Sequence, residues 1–277
     1  MTLIDKNLDL FEEIVEVSQG AGEIILDIYE NSNHRHTFKE DNSPLTKADT
    51  ESNKFIVNKL KKITPHLPLL SEEEKRIPFN NRSSWKEYWL IDPLDGTKEF
   101  IKRNGEFTVN IALIRNNIPV FGVIDIPVKK QTYWGAEGIG SFIIKNNKKS
   151  EKIYVANESK EKMRILSSRS HKGDERILLK KINDYKLIKA GSSLKFCLIA
   201  SGEADAYIRL GPTSEWDIAA GDAIVRFAGG IIVDLNNKGL EYNKGESLIN
   251  PNFIVTKDRV IKEKLLSIIK ETQGITY

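Results

Sequence analysis

An apolar run meets an acidic turn at Tyr88-Trp89-Leu90-Ile91-Asp92-Pro93-Leu94-Asp95-Gly96-Thr97. The apolar residues are typical of a buried strand, while Pro93 and Gly96 favour a turn and Thr97 is a suitable N-cap for a following helix. The two carboxylates on such a turn repel each other by roughly 1–4 kcal/mol at a separation of about 4 Å. A cation would convert that repulsion into binding energy, and hard oxygen ligands suit Mg²⁺. A purely structural turn is equally consistent with this stretch taken alone.

Two further acidic motifs lie far from this turn in the sequence. Upstream, the apolar run Leu67-Pro68-Leu69-Leu70 ends in Ser71-Glu72-Glu73-Glu74. Downstream, Trp216-Asp217-Ile218-Ala219-Ala220-Gly221 places an acid that could cap a helix before small residues that allow this helix to pack closely. In isolation, the first motif is more often a solvated face and the second is more often an ordinary N-cap.

Together the three motifs resemble the inositol monophosphatase superfamily of metal-dependent phosphomonoesterases. An acidic pair after a short strand, a D-P-x-D-G-T turn and a W-D-x-A-A-G segment occur here in the same order and spacing along most of the chain. Residues 98–107, 191–197 and 209–213 are similar to the bacterial CysQ-type 3'(2'),5'-bisphosphate nucleotidases within that superfamily. A DxDxT-type aspartyl phosphatase is unlike this chain, because Asp95 has Pro93 and Thr97, rather than a carboxylate, two positions away.

The resemblance implies a metal site built from four carboxylates and one backbone carbonyl. The carboxylates are those of Glu72, Asp92, Asp95 and Asp217, and the carbonyl is that of Leu94. The site would hold two or three Mg²⁺ ions, and Glu72 also counts among the catalytic residues. Paired cations of this kind can activate water and stabilise a leaving alkoxide during phosphomonoester hydrolysis.

The resemblance assigns the orientation of the attacking water to Asp49 and Thr97. Asp49 ends the segment Pro44-Leu45-Thr46-Lys47-Ala48-Asp49, which matches the family pattern P-x-T-x-A-D. Thr97 would donate its proton to Asp49 and accept from the water, and the amides of Gly96 and Thr97 would donate to the substrate phosphate at a helix start. Without the resemblance, Asp49 is better explained as an exposed acid in the first turn of a helix.

Groups that bind the second phosphate are expected in the C-terminal part of the chain. The resemblance assigns substrate contacts to His171, Ser192, Ser193, Lys195 and Arg209, together with the metal-side residues Glu72, Leu94, Asp95, Gly96, Thr97 and Asp217. Three of these residues have equally good ordinary explanations. Lys195 could be a helix-surface lysine, Arg209 a strand-end charge and His171 a cap near a helix start.

The distribution of apolar residues predicts helices first, then antiparallel strands, then strands that alternate with helices. Apolar residues spaced from Leu8 to Ile28 fit a long amphipathic first helix, and a second helix runs over residues 46–63. Strands follow over residues 87–154, with a hairpin turn at Asn116-Asn117. We therefore predict an α/β protein in two parts, an α+β part over 1–156 with an antiparallel sheet and an α/β part over 157–277. The resemblance implies a layered α-β-α-β-α sandwich with the site between the parts.

Composition indicates a soluble globular protein, and the small-molecule substrate is implied by the resemblance alone. Hydrophobic residues make up 40% of the chain, and the formal net charge of +3 is too small to indicate a nucleic-acid partner. The single cysteine, Cys197, cannot form an intramolecular disulfide, which fits a reducing compartment. The first residues lack the pattern of a signal peptide, and no apolar run approaches the roughly 20 residues of a membrane span. We expect a cytoplasmic protein, monomeric or homodimeric, and leave peripheral association with the inner membrane open.

The reaction implied by the resemblance is hydrolysis of adenosine 3',5'-bisphosphate (PAP) to AMP and phosphate. Conversion of 3'-phosphoadenosine 5'-phosphosulfate (PAPS) to adenosine 5'-phosphosulfate (APS) is a related reaction of the same site. An inositol monophosphatase or a sugar-bisphosphatase would share the metal site and differ in the distal pocket. From a different class, a catalytically silent Mg²⁺- or nucleotide-binding protein would keep the ligands without turnover, although Thr97 argues against it.

Overall fold

The computed structural model of the chain describes residues 3–31, 36–38, 44–157, 162–169 and 178–273. Within these ranges the named helices are α1 (Leu3–Asn31), α2 (Lys47–Ile63), α3 (Phe79–Arg82), α4 (Thr97–Ile101), α5 (Leu194–Ala200), α6 (Glu215–Phe227) and α7 (Arg259–Gln273). The strands are β1 (His36–Phe38), β2 (Pro44–Thr46), β3 (Leu69–Ser71), β4 (Glu87–Asp95), β5 (Thr108–Arg115), β6 (Ile118–Ile126), β7 (Gln131–Ala136), β8 (Gly140–Lys145), β9 (Glu151–Ile153), β10 (Met163–Ser168), β11 (Tyr185–Ala190), β12 (Ala206–Arg209), β13 (Ile231–Asp234) and β14 (Phe253–Thr256).

The first large sheet contains seven strands, β3 to β9, whose spatial order equals their order in the chain. The β3–β4 pair is parallel and every other neighbouring pair is antiparallel. Asn116 and Asn117 connect β5 to β6 with φ angles of +48° and +66°. Asparagine tolerates this left-handed region, which tight hairpins require. The predicted hairpin turn is confirmed.

Alternation along the strands gives this sheet two apolar faces. In β4, Trp89 and Ile91 lie in one core, which α1 and α2 complete. Tyr88 and Leu90 lie in a second core, which α5 and α6 complete. Because successive side chains of a strand point to opposite faces, helices on both sides bury the whole apolar run before the acidic turn.

The second large sheet has the strand order β11-β10-β12-β14-β13. Its inner face contributes Leu166 and Tyr207 to the core shared with α5 and α6. Its outer face contributes Ile165 and Ile208 to a third core, which α7 completes. Helices and sheets therefore alternate in five layers, which confirms the predicted α-β-α-β-α sandwich.

Strand β14 of this second sheet was not predicted from the sequence. β10 runs parallel to β11 and β12, as expected from strand–helix alternation, but β14 lies antiparallel between β12 and β13. The run Phe253-Ile254-Val255-Thr256 is too short for periodicity to distinguish a strand from a buried turn of helix. The second sheet is consequently mixed.

Helix α6 packs closely on the first sheet. A Cβ atom added to Gly122 of β6 would lie 2.4 Å from the carbonyl oxygen of Ala220. A Cβ atom added to Gly221 would lie 2.3 Å from the ring of Phe196 in α5. The small residues of the W-D-x-A-A-G segment are therefore required for the close packing of α6 on its neighbours, as predicted. Within the described ranges, no helix combines the length and apolarity needed to cross a bilayer.

Candidate active site

Three carboxylates from separate elements converge beside the ends of β3 and β4. One oxygen of each of Glu72, Asp92 and Asp217 lies within 4.8 Å of the other two. Glu72 follows β3, and its amide donates to the carbonyl of Ile91 in β4 at 3.1 Å. This bond continues the parallel β3–β4 ladder by one residue and places Glu72 beside Asp92. The acidic cluster could hold a metal ion.

Asp217 reaches this cluster from the first turn of α6. The sequence suggested that Asp217 caps the helix, but α6 begins two residues earlier with Ser214 as its N-cap. The carboxylate of Asp217 accepts a hydrogen bond from the amide of Ser214 at 3.0 Å and so stabilises the start of the helix as part of a capping box. The local capping signal was correct, but the acid acts at the third position of the helix rather than at the cap.

The electrostatics of Asp217 favour a bound cation. Burial, and then the charges of Asp95 and Glu72, raise the pKa of the Asp217 carboxyl well above its usual range. The fold thus holds negative charges together with a repulsion that a divalent cation would remove. Carboxylate oxygens are also the donor type that Mg²⁺ prefers. The residues of this cluster therefore fit the expected metal.

A β-bulge brings Asp92 and Asp95 to the same face of the sheet. Three positions apart in a regular strand, they would point to opposite faces. Here Asp92 pairs with Asn110 and Asp95 pairs with Thr108, so two residues of β4 oppose one residue of β5 between these pairs. Because Asn110 and Thr108 share a face, their partners do as well. The two residues in the bulge are Pro93, which has no amide hydrogen to leave unpaired, and Leu94.

Asp95 lies beside the three-carboxylate cluster, held by the turn before α5. Its Oδ2 accepts the hydroxyl of Ser192 at 2.7 Å and the amide of Ser193 at 2.6 Å. Burial raises the pKa of the Asp95 carboxyl, and these hydrogen bonds together with Lys195 oppose that shift. Of the four expected carboxylates, those of Glu72, Asp92 and Asp217 therefore converge, and that of Asp95 lies next to them. Asp95 is close enough for its charge to raise the pKa of Asp217.

Asp49 and Thr97 are joined directly, although they lie far apart in the sequence. The Thr97 hydroxyl donates to Asp49 Oδ1 at 3.0 Å. Asp49 Oδ2 accepts the amide of Thr46 at 2.8 Å and its hydroxyl at 2.5 Å. With a relative exposure of 1%, Asp49 is not the exposed first-turn acid of the alternative interpretation. Its carboxylate is oriented by the start of α2 and presents one oxygen to Thr97.

The N-cap of α4 is Gly96 rather than Thr97. Gly96 has φ +92°, and a Cβ atom there would lie 3.1 Å from the carbonyl oxygen of Glu106. Only glycine adopts this conformation readily. Thr97 is the first helical residue. Its hydroxyl lies 3.0 Å from Asp49 Oδ1 and 3.4 Å from the carbonyl oxygen of Leu94.

Lys195 and Arg209 both line the cleft that contains the acidic cluster. Lys195 is 6% exposed, so the alternative of a surface lysine is wrong. Its ammonium donates to the carbonyl of Ser192 and lies 5.3 Å from the ring centroid of Tyr207. Burial lowers the pKa of Lys195 to about 8, and the charge of Asp95 opposes the shift. Arg209 ends β12, as the alternative stated, and donates to the hydroxyl of Thr213 at 2.8 Å.

The remaining predicted substrate residues differ in how they reach this cleft. Ser192 and Ser193 border it, but their hydrogen bonds go to Asp95 and to residues of β5. His171 lies outside the described residues. The cleft has a volume of about 250 Å³. Its lining includes acidic, cationic and aromatic side chains, namely Glu72, Asp95, Asp217, Lys195, Arg209, Phe196, Tyr207 and Trp216.

Sequence reasoning missed two polar residues of α2, Ser52 and Asn53, that hydrogen-bond to the acidic segments. Ser52 donates to the carbonyl of Pro93 at 2.8 Å, and Asn53 donates to Glu74 at 2.8 Å and accepts from Ser71 at 2.7 Å. These two residues lie three and four positions after Asp49, so all three share one helix face. Small polar residues on a face that should be apolar were the available signal.

Comparison with known proteins agrees with this geometry. The model of the inositol monophosphatase family matches residues 7–273. A 3'(2'),5'-bisphosphate nucleotidase CysQ of Salmonella typhimurium is 43% identical over 249 residues, which cover 89% of this chain and 99% of that protein. The crystal structure of CysQ from Bacteroides thetaiotaomicron is 42% identical, with a TM-score of 0.79 and coverage of 92% of this chain and 98% of that chain.

The fold extends to more distant relatives. An IMPase of Thermotoga maritima, 23% identical, has a TM-score of 0.79 and covers 97% of this chain and 98% of its own. At this identity the similarity shows the shared fold alone. Because the family model covers nearly the whole chain and the nucleotidases match it over most of their length, the chain belongs to the inositol monophosphatase family.

Proposed function

We propose that this chain is a Mg²⁺-dependent phosphomonoesterase that hydrolyses adenosine 3',5'-bisphosphate to AMP and phosphate. The observation that carries this proposal is one cleft in which the acidic cluster and two cationic side chains, Lys195 and Arg209, lie together. A substrate with two separate phosphates needs both sets of charge. The 40–43% identity to CysQ nucleotidases over most of the chain supports this substrate class.

The acidic residues would hold Mg²⁺, with two or three ions shared among Glu72, Asp92, Asp95, Asp217 and the carbonyl of Leu94. Bound Mg²⁺ would supply the positive charge that activates the attacking water and stabilises the leaving 3'-oxygen. Water adds to the 3'-phosphorus, the bond between phosphorus and the ribose 3'-oxygen breaks, and that oxygen leaves with a proton as the 3'-hydroxyl of AMP. PAPS differs at the 5' end, so the same step would convert it to APS.

Thr97 and Asp49 orient the attacking water in this proposal. The single hydroxyl proton of Thr97 is donated to Asp49 at 3.0 Å, which is nearer than the Leu94 carbonyl at 3.4 Å. The lone pairs of the Thr97 oxygen are therefore left to accept a hydrogen bond from the water. Asp49 cannot rotate to accept elsewhere, since Thr46 holds its second oxygen with two hydrogen bonds. A silent binding protein would have no need for this buried arrangement.

Replacement of Lys195 or Arg209 by methionine tests the assignment of the distal phosphate. A hydrogen bond to a charged group contributes about 1.5–3 kcal/mol, and each 1.36 kcal/mol is tenfold in rate. Each variant should therefore lower kcat/KM for PAP by roughly 10- to 150-fold. The same variants should scarcely change hydrolysis of 3'-AMP, which lacks the 5'-phosphate. Phosphate release from both substrates is the measurement.

Methionine matches the buried Lys195 side chain as far as its ε-carbon and lacks only the ammonium group, so the packing loss is small. Arg115→Met, which removes an exposed arginine paired with Glu87 at the far end of β5, serves as the control and should leave both rates unchanged. Equal losses on PAP and 3'-AMP would show that Lys195 and Arg209 support the fold or the common centre instead of the second phosphate.

A further inference from the structure

Thr108 is a buried hydroxyl residue with no part in the proposed reaction. It begins β5, pairs with Asp95 of β4 and has a relative exposure of 0%. Its Oγ1 lies 2.6 Å from Ser192 Oγ, 2.7 Å from Ser193 Oγ and 3.0 Å from Asn110 Oδ1. Three polar contacts for one hydroxyl, at the base of the turn that holds Asp95, suggest a specific task.

The directions of these hydrogen bonds follow from the number of hydroxyl protons and from the distances between the oxygen atoms. An ionised carboxylate only accepts, so the Ser192 proton points to Asp95 Oδ2, 2.7 Å away. Ser192 Oγ can then accept the proton of Thr108. Ser193 donates to Asn110 Oδ1 at 2.7 Å. Thr108 has one hydroxyl proton and two possible acceptors, Ser192 Oγ at 2.6 Å and Asn110 Oδ1 at 3.0 Å, and the shorter contact assigns that proton to Ser192. The result is a relay in which Thr108 donates to Ser192 and Ser192 donates to Asp95.

The backbone conformation of Ser192 requires support from neighbouring elements of the structure. Ser192 has φ +51°, in the left-handed region that residues with a Cβ atom seldom adopt. Such conformations persist when the surrounding structure over-determines them. Here Thr108 holds the Ser192 side chain from β5, and Asp95 engages the Ser192 hydroxyl and the Ser193 amide from β4.

Resting on the Mg²⁺-dependent reaction proposed above, we propose that Thr108 is a positioning residue for the metal site. Its hydroxyl orients Ser192, which fixes Oδ2 of Asp95 and so would fix the orientation in which this carboxylate meets a bound cation. The turn that Thr108 holds leads directly into α5 and to Lys195, whose ammonium donates to the carbonyl of Ser192. One buried hydroxyl thus sets the geometry of the metal side and of the distal phosphate side.

Thr108→Val removes the relay at nearly constant volume and tests this role without any substrate. Calorimetric titration of the metal-free protein with Mg²⁺ should give a dissociation constant about 10-fold weaker than that of the wild type, the low end for outer hydrogen-bond partners of metal ligands. Thr108→Ser keeps the hydroxyl and should restore the affinity. At saturating Mg²⁺, kcat of Thr108→Val should return towards the wild-type value, because the ligands themselves remain.

Thr132→Val is the matched control. Thr132 lies in β7 of the same sheet, is buried and donates to the carboxylate of Asp125 at 2.8 Å, away from the cleft. This variant should lose stability without weakening Mg²⁺ binding. If Thr108→Val binds Mg²⁺ as tightly as Thr132→Val does, or if Thr108→Ser is as weak as Thr108→Val, the positioning role is wrong.

Ser192→Ala removes the next link and should weaken Mg²⁺ binding at least as much. Because both changes break one relay, the double variant should bind no more weakly than Ser192→Ala alone, and losses that multiply would overturn the relay. If Thr108→Val does not fold, Ser192→Ala decides: unchanged Mg²⁺ affinity refutes the proposal. A wild type that binds Mg²⁺ but leaves PAP intact would refute the proposed function and not the role of Thr108.

Discussion

Asp217→Asn is expected to lower kcat for phosphate release from PAP by roughly 1,000-fold, about 4 kcal/mol at 1.36 kcal/mol per tenfold. The change removes one charge from the three converging carboxylates and keeps the oxygen that accepts the Ser214 amide. The metal-free variant should also be more stable than the metal-free wild type, by about 1–4 kcal/mol, since a buried repulsion is lost. Phosphate release and chemical denaturation measure the two effects.

The stability effect of Asp217→Asn should depend on pH. Burial and the neighbouring acids raise the pKa of Asp217 in the folded, metal-free protein, so this state binds a proton that the unfolded chain has already released. Stability of the metal-free wild type should therefore fall as pH rises above the usual carboxyl range. The variant should lack this component of the decrease, and Mg²⁺ should stabilise the wild type more than the variant.

Asp205→Asn is the control for charge removal. Asp205 is also buried, but Arg164 at 2.7 Å and Lys257 at 3.6 Å compensate its charge. Hydrogen bonds and charge from Arg164 lower the pKa of Asp205 in spite of burial. This variant should lose stability and keep its kcat. Full activity of Asp217→Asn, or a large loss of its metal-free stability, would show that Asp217 is structural.

Thr97→Val is expected to lower kcat for PAP by roughly 100- to 10,000-fold, the range typical of a lost proton-transfer group. Valine has the shape of threonine but neither donates to Asp49 nor accepts from water. Thr97→Ser should retain most activity, because it keeps the hydroxyl 3.0 Å from Asp49 Oδ1. Stopped assays of phosphate release at saturating Mg²⁺ and PAP give kcat for the three proteins.

Because Thr97→Val leaves the proposed metal ligands in place, its Mg²⁺ affinity and its KM should stay near the wild-type values. Asp49→Asn should show a loss of similar size, and the double variant should be little worse than either single variant, since the pair acts as one unit. A Thr97→Val enzyme with wild-type kcat would remove the pair from the mechanism.

The acids of the proposed metal site were predictable only from the family resemblance that the three short motifs carry together, since each motif alone is as often structural. Asp92 and Asp95 occupy a turn at a strand end, Glu72 follows a short strand, and Asp217 lies at a helix start. The five-layer sandwich followed from the same resemblance. The β-bulge that aligns Asp92 with Asp95 was not predicted, because it depends on the register between β4 and β5.

The polar support of the site could not be read from local patterns. Thr108 and Ser192 lie 84 positions apart, and no spacing rule connects them. Threonine is a favourable N-cap residue, but the hydroxyl of Thr97 donates to Asp49, which lies far away in the sequence. From its local sequence Lys195 could equally be a surface lysine, but the packing of α5 in the structure buries it. In each case the deciding contacts are long-range and leave no local signal in the sequence.

The measurement that tests the central claim most directly is a comparison of kcat/KM for three substrates at saturating Mg²⁺, with identification of the products. The substrates are PAP, myo-inositol 1-phosphate and fructose 1,6-bisphosphate. If Lys195 and Arg209 each add one charge-assisted hydrogen bond to the 5'-phosphate, PAP should exceed inositol phosphate by at least about 100-fold. AMP and phosphate should be the products. Equal or faster hydrolysis of inositol phosphate, or the absence of turnover by a protein that binds Mg²⁺, would contradict the account.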